Sequence, residues 1–269
     1  MTSFRDLHQG PGAFVIPNPW DPGSAVMLHR MGFKALATTS AGMAFAMGRA
    51  EGSVPFDAML DHCRAIVAAT PLPVSADLEY GLGHSPEDAA RTIYAVAETG
   101  VAGCSLEDHT GDPDHPIYDF DQAVARIAAA AKAVADLSQD IVFTARCENF
   151  LWDRPDIDDT IKRLQAYEAA GADVLYAPGL RDIETIRTVC GALSKPVNVI
   201  MGSPGVDLNV TALADAGVRR ISVGSAFARR AYGAFIDAAR EVADHGTFGE
   251  TAKAMGFAEI EEWLPTRPD

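Results

Sequence analysis

The chain has 269 residues, a length that one α/β barrel fills with a single core. Its 37 Asp and Glu against 22 Lys and Arg give a formal charge of -15 at pH 7, which repels polyanions and leaves no basic stripe for nucleic acid. Hydrophobic residues at 48% suit a large core, and no apolar run approaches the roughly 20 residues that span a bilayer.

Short β-branched or apolar runs alternate with longer Ala-rich, helix-periodic segments along the whole chain. Eight strands are predicted, at 13–18, 34–40, 73–78, 103–108, 140–147, 173–178, 197–202 and 220–225, each followed by a helix. Ser85-Pro86-Glu87 places a cap before a first-turn proline, Asp119 and Asp156 precede periodic stretches, and Gly32, Gly100, Gly171 and Gly217 close helices shortly before the next strand. This is the punctuation of a (β/α)8 TIM barrel. An open dinucleotide-binding sheet would call for G-x-G-x-x-G after the first strand, where Asn18-Pro19-Trp20-Asp21-Pro22-Gly23 stands instead.

After the eighth strand, helical stretches at 226–245 and 247–255, then 260–264, exceed what one barrel helix needs. The expected organisation is a single domain over 1–269 with 226–269 as a C-terminal helical extension, which either pads the barrel or packs on a neighbouring subunit. Cys63, Cys104, Cys147 and Cys190 form no C-x-x-C pair and read as buried reduced thiols. The opening MTSFRDLHQGPG lacks a secretory apolar stretch, so a cytoplasmic location is expected, with no membrane and no nucleic-acid partner.

Barrel enzymes carry their chemistry at the carboxyl ends of the strands. Here those ends are acidic. Strand three runs into Asp77-Leu78-Glu79-Tyr80-Gly81-Leu82-Gly83 and strand four into Glu107-Asp108. Alternation puts Asp77 and Glu79 on one face and turns Glu107 away from Cys104 and Leu106. Converging carboxylates repel unless a cation joins them, and hard oxygen donors suit Mg2+, with Mn2+ as the other candidate. Strand five ends in Thr144-Ala145-Arg146-Cys147-Glu148, with Arg146 and Glu148 inward and Cys147 outward. Arg146 either pairs with Glu107 or Glu148, or offers its fork to a substrate carboxylate or phosphate, and both can hold at once. The hydroxyls and amides of Thr38 to Gly42 can hold an anionic oxygen, and Asn18 and Asn198 are neutral hydrogen-bonding candidates. None of the five lysines falls at a strand's carboxyl end, which disfavours a Schiff-base aldolase.

Taken together, Asn18-Pro19-Trp20-Asp21, Thr39-Ser40-Ala41-Gly42, Gly48-Arg49-Ala50-Glu51, Asp77 to Gly83, Leu106-Glu107-Asp108 and Ala145-Arg146-Cys147-Glu148 resemble the isocitrate lyase and phosphoenolpyruvate mutase superfamily. The resemblance implies a Mg2+-dependent barrel in which Asp77 ligates the metal and Glu51, Glu79 and Glu107 act largely through its waters. It also implies that Arg146 and the turn of Ser40, Ala41 and Gly42 grip the carboxylate of a small 2-oxo acid or dicarboxylate, and Asn198 and Trp20 are further substrate-binding candidates. Bond cleavage beside the 2-oxo group through a pyruvate enolate, and assembly as a homodimer or homotetramer with an exchanged C-terminal helix, follow from the same resemblance.

The chain departs from the family in the loop after strand four. The Lys-x-Cys-Gly-His element of isocitrate-type lyases is replaced by His109-Thr110-Gly111-Asp112-Pro113-Asp114-His115-Pro116-Ile117-Tyr118. The Lys and Asn of phosphonate-handling members are absent from it, and strand six ends in Tyr176 and Pro178 rather than a histidine. Glu51 and Glu79 are one methylene longer than the commoner Asp. Catalytic candidates are thus Arg146, Glu107, His109 and His115, and the expected activity is a lyase or decarboxylase of a small 2-oxo or 2-hydroxy dicarboxylate. A phosphonopyruvate-type hydrolase or mutase and a non-catalytic carboxylate-binding barrel are the alternatives.

Overall fold

The computed structural model describes residues 3–264. Eight parallel strands run β1 (Phe14–Ile16), β2 (Leu36–Ala37), β3 (Val74–Asp77), β4 (Gly103–Glu107), β5 (Val142–Arg146), β6 (Val174–Tyr176), β7 (Val197–Ile200) and β8 (Arg220–Ser222). Hydrogen bonding orders them β1-β8-β7-β6-β5-β4-β3-β2, so neighbours in space are neighbours in sequence. The last seam is drawn together by single bonds. Ala37 N–H donates to the Pro17 carbonyl, and Asn18 Nδ2 donates to the Thr38 carbonyl at 2.9 Å. Asn18 also accepts from the Val223 and Gly224 N–H groups, strapping β1 to both neighbours. The expected (β/α)8 TIM barrel is the fold.

Helices alternate with these strands: α1 (Phe4–Gln9), α2 (Pro22–Arg30), α3 (Ser40–Ala46), α4 (Phe56–Ala69), α5 (Pro86–Ala97), α6 (Phe120–Asp136), α7 (Ile157–Ala169), α8 (Ile183–Gly191), α9 (Val210–Asp215), α10 (Ala226–His245) and α11 (Phe257–Glu261). Ser85 caps α5 by accepting from the Asp88 N–H, and Asp156 caps α7 through Asp159. Asp119 precedes α6 without a capping bond from its side chain. The main core lies between strands and helices and takes in Cys63, Cys104 and Cys147. Cys190 is partly exposed, so the expectation of four buried thiols holds for three.

The end of the barrel remote from the acidic loops is closed by α1, an element that the periodicity left unread. Phe4 packs there with Ile16, Ala35, Val142 and Val174. Arg5 fastens the plug through Asp140 and Asp173, each at 2.7 Å.

The predicted ranges depart most from the structure at three places. The predicted strand 34–40 is a strand only at Leu36–Ala37, because Thr39 caps α3 and Ser40 already begins that helix. The predicted helix 247–255 holds only a 3-10 turn at Thr251–Lys253. Helix α10 stops at Gly246 with φ 66, and the Glu241 carboxylate then takes hydrogen bonds from Thr247 Oγ1 and the Gly249 and Glu250 N–H groups. Those bonds fold the chain back instead of extending the helix. The predicted stretch 260–264 overlaps α11 only at its first two residues, and residues 262–264 follow that helix.

Candidate active site

Arg146, the last residue of β5, organises the carboxyl end of the barrel. Its Nη1 lies 2.9 Å from Asp77 Oδ1 and 2.8 Å from Glu107 Oε1, and its Nε lies 2.8 Å from Glu148 Oε1. The guanidinium carbon stands 4.9 Å from the centre of the Tyr176 ring. The expected pairing with Glu107 and Glu148 is present at this residue and extends to Asp77, with Cys147 turned into the core behind it.

Asp77 is fixed from two directions. Its N–H donates to Thr38 Oγ1 at 2.8 Å, and its Oδ2 accepts from the Ser40 N–H at 3.1 Å. Ser40 Oγ donates to Glu51 Oε1 at 3.2 Å, which brings the 48–53 turn over the site. Glu79 arrives by another route than strand alternation. β3 ends at Asp77, and Glu79 sits in the left-handed region at φ 51 while its carbonyl accepts from the Glu107 N–H. An expected face of one strand is in fact a strand end followed by a left-handed turn.

Electrostatics follow from that crowding. Burial, then Asp77 and Glu51, push the Glu79 carboxyl up to about 7, against a hydrogen bond from the Gly52 N–H. Burial raises Glu107 well above the usual carboxylate range, and Arg146 opposes it. Glu148 is raised by burial in the same way. Glu51 lies at the rim, largely open to solvent, yet partial desolvation and Asp77 still raise it. Five carboxylates thus surround one guanidinium, and burial is the main reason that four of them are raised, with neighbouring carboxylates adding to it and Arg146 opposing it.

Two cavities meet at this cluster, both lined by Glu51, Arg146 and Leu151. The outer one, of about 540 Å3, is also lined by Glu79, Glu107, His109 and Trp152. The inner one, of about 150 Å3, descends into the barrel past Ser40, Ala41, Asp77 and Asn198. Among the described residues, no three His, Cys, Asp or Glu side chains form a ready-made metal cage. Asp77 and Glu107 both point at Arg146 instead. The donor set is nonetheless all carboxylate oxygen, its charge is in excess, and the outer cavity has room for waters, which is the setting a hydrated Mg2+ or Mn2+ requires.

The sequence-derived candidates divide in space. Asp77, Glu79, Glu107, Glu51, Arg146, Ser40, Ala41, Asn198 and His109 line one or both cavities. His109 is stacked on Trp152 with ring centres 4.3 Å apart, and its Nε2 is buried without a hydrogen-bond partner. His115 is exposed on a separate groove with His84 and Tyr118, away from the carboxylates. Trp20 packs on Gly42 and borders neither cavity. Gly42 itself is buried, and its N–H goes to Thr39 Oγ1. Among the described residues, the Ser40 N–H donates to Asp77 and the Gly42 N–H to Thr39, while the Ala41 N–H has no partner.

Asp108, Tyr176, Trp152 and Arg220 were not singled out by sequence. Asp108 is fully buried, accepts from Tyr167 Oη at 2.6 Å and from the Glu148 N–H at 2.8 Å, and pairs with Arg163 at 3.3 Å, so it anchors the segment carrying Glu148. Its adjacency to Glu107 was the available signal.

In a (β/α)8 barrel the carboxyl-end mouth, here acidic and arginine-bearing, is where an enzyme carries its chemistry. The family model described as phosphoenolpyruvate phosphomutase matches residues 4–243, and the chain belongs to this family, within the PEP mutase/isocitrate lyase superfamily, as an enzyme of the lyase class. An uncharacterized protein of Mycobacterium tuberculosis is 31% identical over 97% of this chain and 96% of its own length. Oxaloacetate decarboxylase 2 of Pseudomonas fluorescens is 28% identical over 88% of this chain and 82% of its own. Among solved structures, a Burkholderia cenocepacia protein provisionally assigned as a lyase/mutase is 53% identical over 99% of this chain and 95% of its own, with a TM-score of 0.95. Oxaloacetate acetylhydrolase, solved with its product oxalate, is 27% identical over 97% of this chain and 92% of its own, with a TM-score of 0.86. No helix among the described residues is long and apolar enough to cross a membrane.

Proposed function

We propose that this enzyme is a Mg2+-dependent lyase or decarboxylase of a small 2-oxo or 2-hydroxy dicarboxylate, with Mn2+ as an alternative ion. The observation that carries the reading is the convergence of Asp77, Glu107 and Glu148 on Arg146 at the junction of two cavities. Relatives that act on oxaloacetate support the substrate class.

Asp77 would hold the ion directly, with Glu51, Glu79 and Glu107 receiving hydrogen bonds from its waters. Held there, such an ion would supply Lewis-acid stabilisation of the negative charge that develops on the substrate. Arg146 faces the substrate's carboxylate and fixes its plane, while the Ala41 N–H offers a further donor. Trp152 holds the His109 ring flat beside the outer cavity, where the imidazole delivers a proton to the enolate carbon that cleavage leaves with the electron pair. Leu151 and Trp152 narrow the access of water. His115 is too far out on its loop to share that role, and Trp20 is replaced as an aromatic wall by Trp152.

The test is pyruvate formation from a panel of 2-oxo and 2-hydroxy dicarboxylates, with and without Mg2+. Turnover that needs the metal and disappears in Asp77→Ala is the expected result. Metal-independent turnover contradicts the reading, and release of inorganic phosphate from phosphonopyruvate transfers the chain to the P–C branch of the superfamily.

A further inference from the structure

Arg220 opens β8 and is buried in the middle of the barrel, 5% exposed. Its Nε donates to Asn198 Oδ1 at 2.9 Å, its Nη2 to Thr144 Oγ1 at 3.0 Å, and its Nη1 meets His8 Nε2 at 3.5 Å. All three partners are neutral. His8 donates through Nδ1 to the Phe4 carbonyl, which leaves Nε2 as the lone-pair side facing Arg220. Among the described residues no carboxylate pairs with this guanidinium. Its charged neighbour is Arg146, a second cation, and burial lowers Arg220 to about 10.

A buried cation among neutral groups is costly in solvation unless an anion compensates it. Arg220 also lines the inner cavity, together with Ser75, Ser105, Ser222, Tyr176 and Asn198. Three of its five N–H groups are engaged, so two remain for a guest. Register places this floor one inward layer below the catalytic cluster. Thr144, Ser75 and Ser105 each precede Arg146, Asp77 and Glu107 by two residues on their strands. That layer spacing is about 6.6 Å, a distance that the outermost oxygens of an extended four-carbon dicarboxylate approach and those of a three-carbon one do not.

We propose that the inner cavity is a second anion site, built on Arg220 and the Ser75 hydroxyl, with Ser105 and Ser222 lining it while their hydroxyls donate to Asp77 and the Val199 carbonyl, that takes a carboxylate-sized monovalent anion. Its occupant is either the far carboxylate of the substrate, buried downwards rather than left at the mouth, or a free halide. The substrate arm rests on the dicarboxylate reading above, whereas the site does not.

Crystals of the whole protein grown in sodium bromide test it by anomalous scattering. Bromide against the Arg220 guanidinium is the expected result, and water alone at that position overturns the proposal. Adding succinate, an extended four-carbon dicarboxylate, separates the sources. A succinate carboxylate displacing bromide at Arg220 assigns the site to substrate, and bromide retained beside bound succinate assigns it to a free anion. Arg220→Gln is expected to lose the bromide and, if substrate is the guest, to weaken succinate binding by roughly 30-fold or more in calorimetry. Arg220→Lys keeps the charge and is expected to keep the bromide. If the glutamine variant does not fold, the wild-type diffraction alone decides. Bromide occupancy needs no turnover, so an enzyme inactive on dicarboxylates leaves the site standing, and an active one with water at Arg220 removes the site only.

Discussion

Nη1 of Arg146 lies 2.9 Å from Oδ1 of Asp77, which joins the guanidinium of β5 to the carboxylate at the end of β3 across the mouth of the barrel. A lysine cannot reproduce this contact together with those to Glu107 and Glu148, because an ammonium is a single point of charge and not a planar fork. Arg146→Lys is expected to lower kcat/KM by roughly 100-fold or more, as for loss of one well-placed donor to developing charge. Arg146→Met is expected to cost about 3 to 5 kcal/mol of stability in urea titration, since it leaves buried carboxylates without their cation. Near-wild-type activity in the lysine variant would show that the fork is structural only.

Excess negative charge at the site gives a prediction for metal addition. Mg2+ is expected to raise the unfolding temperature, and a concentration about a hundred times its Kd stabilises the folded state by about 2.7 kcal/mol. Chelator reverses the shift. Asp77→Asn is expected to abolish most of it, and an equal shift in that variant would place the ion elsewhere. Calorimetric scans of both proteins measure the difference.

The barrel and its acidic mouth were legible because each rests on short-range chemistry. Alternation placed Arg146 inward and Cys147 outward, and both positions hold. Glu79 reached the site for a different reason, since a left-handed residue after β3 is not written in a period of two. Arg220 and Tyr176 were illegible because their significance depends on what faces them from other strands. The pairing of Tyr176 with Asn198 and of Asn198 with Arg220 supplies that information only once the register is known. His115 shows the converse. A titratable residue in the right loop was a fair candidate until the short hairpin between His109 and Ile117 carried it outward.

Gly42 illustrates a residue assigned to the substrate whose need for glycine is packing. A Cβ there would lie 2.6 Å from Thr39 Cγ2 and 2.9 Å from Trp20 Cβ. Gly42→Ala is therefore expected to cost about 1 to 3 kcal/mol in urea titration. An unchanged stability would mean that α3 shifts freely away from Trp20.

His8 predicts an acid limit. Burial, with Arg220 and Arg5 as further opposing charges, lowers its folded-state value from 6.5 to about 3. Between those values the unfolded chain takes up the proton and the folded chain does not. Stability is fully present above pH 6.5 and declines as pH falls towards 3, by at most about 1.4 kcal/mol per pH unit. His8→Gln is expected to be less stable near pH 7 but flatter over this window. The wild-type minus variant difference, measured by urea titration at several pH values, cancels groups common to both. A difference independent of pH would show that the imidazole is not held neutral.

The long helix α10 is the remaining departure from a self-contained barrel. Of its twenty residues Ala228 alone is buried, while Phe227, Phe235 and Ile236 are exposed, with Phe248 and Phe257 exposed just beyond. Isolated exposed aromatics are ordinary on a surface, but several on and beside one helix form the kind of patch that associates. A second copy of the chain is the occupant proposed here, consistent with the resemblance that implies helix exchange. A Glu at position 235 would place a charge in the middle of that patch, whose desolvation opposes burial. Light scattering coupled to size exclusion is expected to give a dimer or tetramer for the natural protein and a smaller assembly for Phe235→Glu. A natural protein running at the mass of one chain at micromolar concentration would contradict the assignment, and would leave α10 as a helix whose apolar side faces solvent.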